Sequence, residues 1–251
     1  MQALVLAGAR GTSSLVEETG VKNKSLIPIH GKPMIGYVLE ALNTVKCIEK
    51  IIVVGPSEEM EKVKTLTNVS FSVVSEKGEI MENLLEGFRH IPSTAGPVLI
   101  VTSDIPLITR ESLEHFIENS LILEADFCYP IIKKEVCEKR YKEVVRTYGR
   151  LKEGSFTGGN IFLMNPEIVD QVAERAISFL ALRKKPHRMA LKLGLFFIIK
   201  FLLKKVTIAD AEKRASKIFG VKGKAVISPY AEIGFDVDKI SDLQIAEDYL
   251  K

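Results

Sequence analysis

Cysteine is scarce in this sequence. The three cysteines, Cys47, Cys128 and Cys137, are odd in number and have no spacing typical of a zinc site. We therefore expect neither a disulfide framework nor a structural zinc site, and we expect a cytoplasmic location, where thiols stay reduced. The amino terminus has no basic region and cleavage site around its first apolar run, so we also expect no signal peptide.

Two common phosphate-binding motifs are absent. Gly8, Gly11 and the serines that follow do not complete the GxGxxG spacing of dinucleotide-binding folds. The segment predicted as the second strand, residues 50–54, ends in Gly55 and Pro56 and not in the acid that holds a ribose in those folds. The sequence contains no GKS or GKT either, which argues against a P-loop ATPase.

No apolar run is long enough to span a bilayer. The most apolar stretch, residues 191–203, is too short and is interrupted by Lys192 and Lys200. The chain has 251 residues, of which 46% are hydrophobic and 27% are charged, as is typical of a globular protein. We predict a single domain over residues 1–251.

Short apolar runs alternate with helical patterns along the chain. The runs predict strands at residues 2–6, 50–54, 70–74, 98–102, 126–132 and 160–164. This alternation predicts an α/β fold with a mostly parallel sheet and helices on both faces. Ligands of such sheets bind at the carboxyl ends of the strands, so the residues that follow each strand are the candidate site residues.

The first strand leads into a loop of small residues. Residues 4–12 read LVLAGARGT, and successive backbone N–H groups in such a turn can form an anion-binding concavity. Arg10 adds a permanent cation, and Lys24 adds a second one ahead of a helix that begins near Pro33. The pattern indicates a loop that wraps around nucleotide phosphates.

LAGARGT together with NKSLIPIHGKPMI resembles the signature of the MobA-like NTP transferase family. The family includes molybdenum cofactor guanylyltransferases and the sugar-phosphate and methylerythritol-phosphate nucleotidyltransferases. Ala9 stands where the family usually has a second glycine, and Ser13 stands where it usually has an arginine. The resemblance implies a Rossmann-like three-layer sandwich of the nucleotide-diphospho-sugar transferase type. It also implies nucleotide contacts from Leu6, Ala7, Gly8, Ala9, Gly11, Thr12 and, ahead of a later helix, Gly78.

An aspartate follows the predicted strand at residues 98–102. Asp104 lies in the segment SDIPL, which resembles the D-x-P-L motif of the family. The resemblance implies a metal-binding role for Asp104. The alternative is an aspartate that caps a helix or stabilises a turn, because Thr109 marks the start of the next predicted helix.

A magnesium ion needs hard oxygen ligands and is usually held by one or two carboxylates. The stretch GFDVDKISDLQIAE resembles the closing motif of the family. Ser241 and Gln244 predict a capping box, which would place Asp238 just ahead of a helix. The resemblance favours Asp238 as the second metal ligand, with Asp236 in reserve. The alternative is that both are ordinary solvated loop acids.

A glycine pair precedes the last predicted strand. Thr157, Gly158, Gly159 and Asn160 resemble the loop that faces the acceptor in sugar-phosphate members of the family, which implies acceptor binding by Gly158, Gly159 and Asn160. The alternative is an ordinary turn, because glycines before a strand are good turn formers.

The resemblance implies a magnesium-dependent nucleotidyltransferase. It would transfer an NMP from an NTP to a phosphorylated small-molecule acceptor and release pyrophosphate, with Lys24, Arg10 and Asp104 as catalytic residues. One alternative is a nucleotide-sugar glycosyltransferase, because residues 236–238 spell DVD. Another is a non-catalytic nucleotide-binding protein, which Ala9 and Ser13 make plausible.

One basic segment is not explained by the resemblance. Residues 176–209 contain eight Lys or Arg and no Asp or Glu, so the rest of a chain with a net charge of +3 carries −5. We predict a basic, apolar helical insertion over residues 174–222. It could pack on the sheet, cradle a polyanionic acceptor, or contact anionic lipid through residues 183–205. We expect no nucleic-acid partner, because no recognised DNA or RNA module is present.

Overall fold

The computed structural model describes residues 1–8, 14–144, 146–180 and 192–251. Three of the residues predicted to bind the nucleotide, Ala9, Gly11 and Thr12, lie outside the described residues, and so does Arg10, which is predicted to be catalytic. So does residue 13, where the family signature has an arginine, and so do residues 181–191 of the predicted insertion.

Helices and strands alternate over most of the chain. The helices are α1 (Ser14–Thr19), α2 (Met34–Thr44), α3 (Ser57–Leu66), α4 (Ile80–Phe88), α5 (Arg110–Ile122), α6 (Lys134–Arg140), α7 (Val169–Leu180), α8 (Leu195–Leu202), α9 (Ile208–Phe219) and α10 (Ile240–Tyr249). The strands are β1 (Gln2–Leu6), β2 (Pro28–Ile29), β3 (Lys32–Pro33), β4 (Lys50–Gly55), β5 (Ser72–Ser75), β6 (Val98–Thr102), β7 (Phe127–Lys133), β8 (Gly149–Leu151), β9 (Gly154–Gly158), β10 (Ile161–Met164) and β11 (Gly223–Ser228).

Nine strands of the described chain form one sheet, in the order β5-β4-β1-β6-β10-β7-β9-β8, with β11 paired to β7. Strands β5, β4, β1 and β6 are parallel neighbours, and β11 is parallel to β7. Strand β10 is antiparallel to β6 and β7, and β9 is antiparallel to β7 and β8. Most strands therefore point the same way, and the predicted mostly parallel sheet is confirmed.

Alternate residues of the central strands bury against opposite layers of helices. Ala3 and Val5 of β1 pack in a core with residues of α2 and α5, whereas Leu4 and Leu6 pack in a second core with residues of α4. Both faces of the parallel strands are covered, which explains why these strands are almost continuously apolar. The predicted three-layer α/β sandwich is confirmed.

The register of the parallel strands brings their carboxyl ends to one edge. Leu6 is aligned with Val54 of β4 and with Thr102 of β6. The chain segments that follow β1 and β6 therefore leave the sheet side by side. This edge is the one at which the sequence predicts a ligand site.

Some short strands are not predicted from the sequence. Strands β8 and β9 form a hairpin, and β2 and β3 form a separate two-stranded sheet. Strands β2, β3 and β8 have three residues or fewer, and β9 has only one large apolar residue, Phe156, so no run of apolar residues marks them. Strand β5 begins at Ser72 and not at residue 70, because Ser72 is the first residue that pairs with β4.

The described parts of the predicted insertion at residues 174–222 are helical. They comprise the end of α7, all of α8 and all of α9. Helix α9 contacts α7 and the last strand, β11. Within the residues that the structure describes, no helix has both the length and the apolar character needed to cross a membrane.

Candidate active site

Lys24 lies at the start of a short 3₁₀ helix, Lys24–Leu26, beside the end of β1. The Asn23 side chain fixes this position. Its Oδ1 accepts hydrogen bonds from the Ser25 N–H and hydroxyl, and its Nδ2 donates to the Ala7 carbonyl at 2.9 Å. Asn23 therefore ties the segment that carries Lys24 to the loop that follows β1.

The Lys24 ammonium contacts two carboxylates that are distant in sequence. It donates to Asp104 Oδ2 at 2.6 Å and also to Asp238 Oδ1. The Lys24 and Asp104 side chains are 19% and 22% exposed, so water only partly screens this pair, whereas Asp238 is 66% exposed. Burial lowers the pKa of Lys24, but the two carboxylates outweigh burial and raise the pKa above its usual value.

Asp104 lies just beyond the carboxyl end of β6. The Ser103 N–H donates to the Leu6 carbonyl at 3.2 Å, which holds this segment beside the end of β1. Helix α5 is capped by Thr109, whose side chain accepts from the Ser112 N–H, so Asp104 is not the cap of that helix. Asp104 Oδ1 is buried and has no hydrogen-bond partner among the described residues.

Asp238 is held in place by backbone hydrogen bonds on both sides. The Val237 N–H donates to the Asp104 carbonyl at 3.0 Å. The Asp238 and Lys239 N–H groups donate to Asp242 Oδ2 at 3.1 and 3.2 Å. These bonds place Asp238 beside Asp104 as helix α10 begins.

The predicted capping box of Ser241 and Gln244 is wrong. Helix α10 begins at Ile240, so Ser241 is already inside its first turn. The acid that accepts hydrogen bonds from the residues ahead of the helix is Asp242. A carboxylate suits this position better than a hydroxyl, because the amino end of a helix favours negative charge.

Three carboxylates converge at this edge of the sheet. One oxygen from each of Asp104, Asp236 and Asp238 lies within 4.8 Å of the others. Burial, followed by the charges of Asp238 and Asp104, raises the pKa of Asp236 to about 6. Partial burial would raise the pKa of Asp238, but the hydrogen bond and charge of Lys24 lower it.

The donor set of these acids suits a hard divalent cation. Carboxylate oxygens are the ligands that Mg²⁺ prefers, and the second oxygen of Asp104 is buried without a partner among the described residues. The negative carboxylates repel one another at this spacing, and a cation between them offsets the repulsion. Lys24 supplies one such cation, and Arg146 contacts Asp236 at 3.4 Å. The residues therefore fit a magnesium ion, although their role as ligands stays a prediction.

The loop before α4 closes over the end of β1. Asn83, which is fully buried, donates to the Gly8 carbonyl at 3.0 Å and to the Gly78 carbonyl at 3.2 Å. Its Oδ1 accepts from the Lys77 N–H at 2.7 Å. A Cβ on Gly8 would collide with the Glu76 side chain, so only glycine fits there.

The predicted acceptor loop lies on the other side of Asp104. Asn160 accepts a hydrogen bond from the Thr102 N–H at 3.1 Å, so the loop borders the end of β6. The Gly159 N–H donates to the Pro130 carbonyl at 3.0 Å, and a Cβ on Gly158 would overlap the Tyr129 hydroxyl. The loop is thus packed closely between the end of β6 and β7.

The structure brings most of the candidate residues to one edge of the sheet. Those that meet there are Leu6, Ala7, Gly8, Lys24, Gly78, Asp104, Gly158, Gly159, Asn160 and Asp238. Arg10 and the other loop residues lie outside the described residues. Asn23, Asn83 and Arg146 are not predicted from the sequence, because a single asparagine or arginine carries no pattern that marks it as part of a site.

A family model described as the MobA-like NTP transferase domain matches residues 3–188. The match covers nearly all of β1, strands β2 to β10, Lys24, Asp104 and the predicted acceptor loop. It ends within the basic insertion and before Asp238.

Curated relatives match over part of the chain. A probable molybdenum cofactor guanylyltransferase from Thermococcus gammatolerans is 30% identical over 166 residues, which cover 65% of this chain and 79% of that protein. The bifunctional protein GlmU from Exiguobacterium sibiricum is 27% identical over 117 residues, which cover 47% of this chain. The chain spans about a quarter of the length of the GlmU relatives that it matches.

Solved structures match over nearly the whole chain. A structure described as a hypothetical transferase from Thermus thermophilus has a TM-score of 0.84 and 36% identity, and the match covers 96% of this chain and 98% of the other. A 4-diphosphocytidyl-2C-methyl-D-erythritol synthase from Anaerococcus prevotii has a TM-score of 0.62 and 15% identity, and the match covers 99% and 97% of the two chains. The second similarity shows the fold alone.

A substitution at Asn83 tests whether its hydrogen bonds hold the loop before α4 against the end of β1. In Asn83→Leu, the Gly8 carbonyl and the Lys77 N–H lose their side-chain partner. The Gly8 carbonyl is buried, and an orphaned buried polar group costs about 1–3 kcal/mol, so we expect the free energy of unfolding to fall by about 1–3 kcal/mol. Urea denaturation measures this change.

The matched control is Asn119→Leu, because Asn119 is exposed and donates only to the His115 carbonyl of its own helix. A surface change of this kind should stay within about 0.5 kcal/mol. Equal stabilities of the two variants would contradict the role given to Asn83.

Proposed function

The chain belongs to the MobA-like NTP transferase family, and from this membership we propose that it transfers an NMP from an NTP to a phosphorylated small-molecule acceptor. The observation that carries the proposal is the contact of Lys24 with Asp104 and Asp238 beside the loop that follows β1. This contact brings together a cation that would bind phosphate and carboxylates that would bind a metal ion.

The reaction needs one bond to form and one to break. An oxygen of the acceptor phosphate attacks the α-phosphorus of the NTP, and the bond from that phosphorus to the bridging oxygen of the β-phosphate breaks. Pyrophosphate leaves with the electron pair of that bond. A phosphate monoester is already ionised near neutral pH, so no residue has to act as a general base. The site has to supply orientation and neutralisation of charge.

Lys24 provides a positive charge that persists at neutral pH, because the neighbouring carboxylates raise its pKa. Its ammonium would neutralise negative charge on the α-phosphate and on the leaving pyrophosphate. Arg10, which lies outside the described residues, is predicted from the sequence as a second cation for these phosphates. Backbone N–H groups of the loop from Leu6 to Thr12 would hold the phosphates.

Magnesium is the cofactor that best fits the acids of this site. Asp104 and Asp238 would hold the ion, and Asp236 lies within reach as a third carboxylate. When bound, the ion would supply charge neutralisation for the triphosphate.

The two sides of Asp104 divide the site into a nucleotide side and an acceptor side. Gly8 and Gly78, joined by Asn83, would face the nucleotide. Gly158, Gly159 and Asn160 would face the acceptor. Arg146 supports this division, because a Cβ built on Gly234 would lie 3.4 Å from the Gly158 carbonyl and 3.6 Å from the Arg146 guanidinium, which places this cation near the acceptor side.

Kinetics of site variants tests the roles of Lys24 and Asp104. We expect Lys24→Met and Asp104→Asn each to lower kcat/KM by on the order of 10²–10³, the cost of losing one preorganised charged group. The assay measures pyrophosphate release from NTP with Mg²⁺ and a panel of sugar, polyol and pterin phosphates. Release only when an acceptor is present distinguishes a transferase from a protein that merely binds nucleotide.

Matched controls are Lys22→Met and Asp170→Asn, which remove the same charges from exposed side chains. Both should retain the activity of the unmodified protein. If pyrophosphate release is unchanged in Lys24→Met and Asp104→Asn, the proposed roles are wrong.

Thermal unfolding with each of the four NTPs identifies the base. The relative from Thermococcus gammatolerans is described as a guanylyltransferase, so GTP is the first candidate. A nucleotide at 100 times its dissociation constant adds about 2.7 kcal/mol to the free energy of unfolding. We expect one NTP to raise Tm with Mg²⁺ present, and we expect this increase to shrink in Asp104→Asn.

Equal Tm values with and without every NTP would contradict nucleotide binding. If the NTP raises Tm by the same amount in Asp104→Asn, nucleotide binding does not depend on the proposed metal ligand.

A further inference from the structure

Helix α8 presents an apolar stripe to solvent. Six large apolar side chains over residues 195–203 are exposed, and five of them form the stripe: Phe196 at 81%, Leu202 at 71%, Leu195, Ile199 and Leu203. The five are spaced i, i+1, i+4, i+7 and i+8, which places them along one face of the helix, whereas Phe201, at 39%, lies on the other side. A contiguous exposed apolar stripe on a folded protein marks a surface for interaction.

Lys200 is the one cation within helix α8, and it points towards the protein and not into the exposed apolar stripe. Lys200 pairs with Asp210 of helix α9 at 2.5 Å. The chain on either side is also anchored, because Arg214 donates to the Lys192 carbonyl and the Lys152 N–H donates to the Val206 carbonyl at 2.8 Å. These contacts hold α8 with its apolar face outward.

Cations surround the stripe without any acid in the segment. Lys192 precedes the helix, and Lys204 and Lys205 follow it in exposed positions. Over residues 176–209 the sequence has eight Lys or Arg and no Asp or Glu. An apolar face bordered by lysines is the pattern of a helix that lies in the interface of an anionic membrane.

We propose that the surface formed by residues 192–205 docks on an anionic lipid bilayer, with the α8 stripe inserted among the lipids and the lysines at the headgroups. A second copy of the chain is a poorer occupant, because a symmetric contact would bring two wholly cationic segments together. Lipid phosphates, in contrast, complement the charge of the segment.

Docking would place the turn between β8 and β9 near the membrane. The segment after α8 contacts the turn between β8 and β9 through Lys152 and Glu153. Strand β9 runs from this turn to Gly158, and its pairing with β7 places the turn beyond the carboxyl end of β7. The docking surface and the predicted acceptor loop thus lie at opposite ends of one short strand.

Co-sedimentation of the full chain with lipid vesicles tests the proposal. We expect binding to phosphatidylglycerol vesicles, weaker binding as salt is raised, and little binding to phosphatidylcholine vesicles. The double variant Phe196→Ser with Leu202→Ser should weaken partition at least about tenfold per side chain removed. Lys204→Gln with Lys205→Gln should weaken partition about fivefold per lysine.

Matched controls make the same changes elsewhere on the surface. Leu66 and Ile122 are exposed apolar residues outside the segment, so Leu66→Ser with Ile122→Ser should bind vesicles as the unmodified protein does. Lys46→Gln with Lys62→Gln is the control for charge. Unchanged Tm values would show that the variants are folded.

Three outcomes would overturn the proposal. The first is no binding of the unmodified protein to phosphatidylglycerol vesicles. The second is equal binding by the stripe variant and its control. The third is a dimer in sedimentation equilibrium that only the stripe variant disrupts, without vesicle binding, which would assign the surface to a second copy of the chain.

Discussion

The candidate site depends on one ion cluster, the Lys24 ammonium between Asp104 and Asp238. Its three members come from the segment after β1, the end of β6 and the start of α10, so the cluster joins parts of the chain that are far apart in sequence. The parallel register of β1 and β6 makes this meeting possible, because it leads both segments out at one edge. A lone buried carboxylate would be costly, and Lys24 offsets that cost while remaining available for phosphate.

The strands and the main site residues could be predicted because each carries a local signal. The central strands are apolar on both faces, and Lys24 and Asp104 follow recognisable motifs. Residues that work only through tertiary contacts could not be predicted. Asn83 has a role only because the fold places Gly8 beside it. Asp242 accepts the hydrogen bonds at the start of α10 in place of Ser241, because α10 begins at Ile240. Strands β8 and β9 contain too few apolar residues to show an alternating pattern.

The predicted insertion at residues 174–222 would add a property that the nucleotidyltransferase core does not need. Its cations balance the acidic remainder of the chain, and its exposed stripe lies on α8, outside both cores of the sheet. Lys200, the one lysine within that helix, pairs with Asp210, and this pair fixes which face of the helix points outward. A surface held in this way, next to the hairpin that leads to Gly158, would present the acceptor side to molecules carried in a membrane.

A crystal structure with Mn²⁺ and a non-hydrolysable analogue of the NTP that raises Tm would show directly whether the cluster of Lys24, Asp104 and Asp238 binds a metal ion and phosphate. We expect an anomalous signal at the carboxylates of Asp104 and Asp238, with the Lys24 ammonium on a phosphate oxygen. A nucleotide bound elsewhere, or an anomalous signal away from these carboxylates with Lys24 still paired to both of them, would show that the cluster is not the nucleotide site.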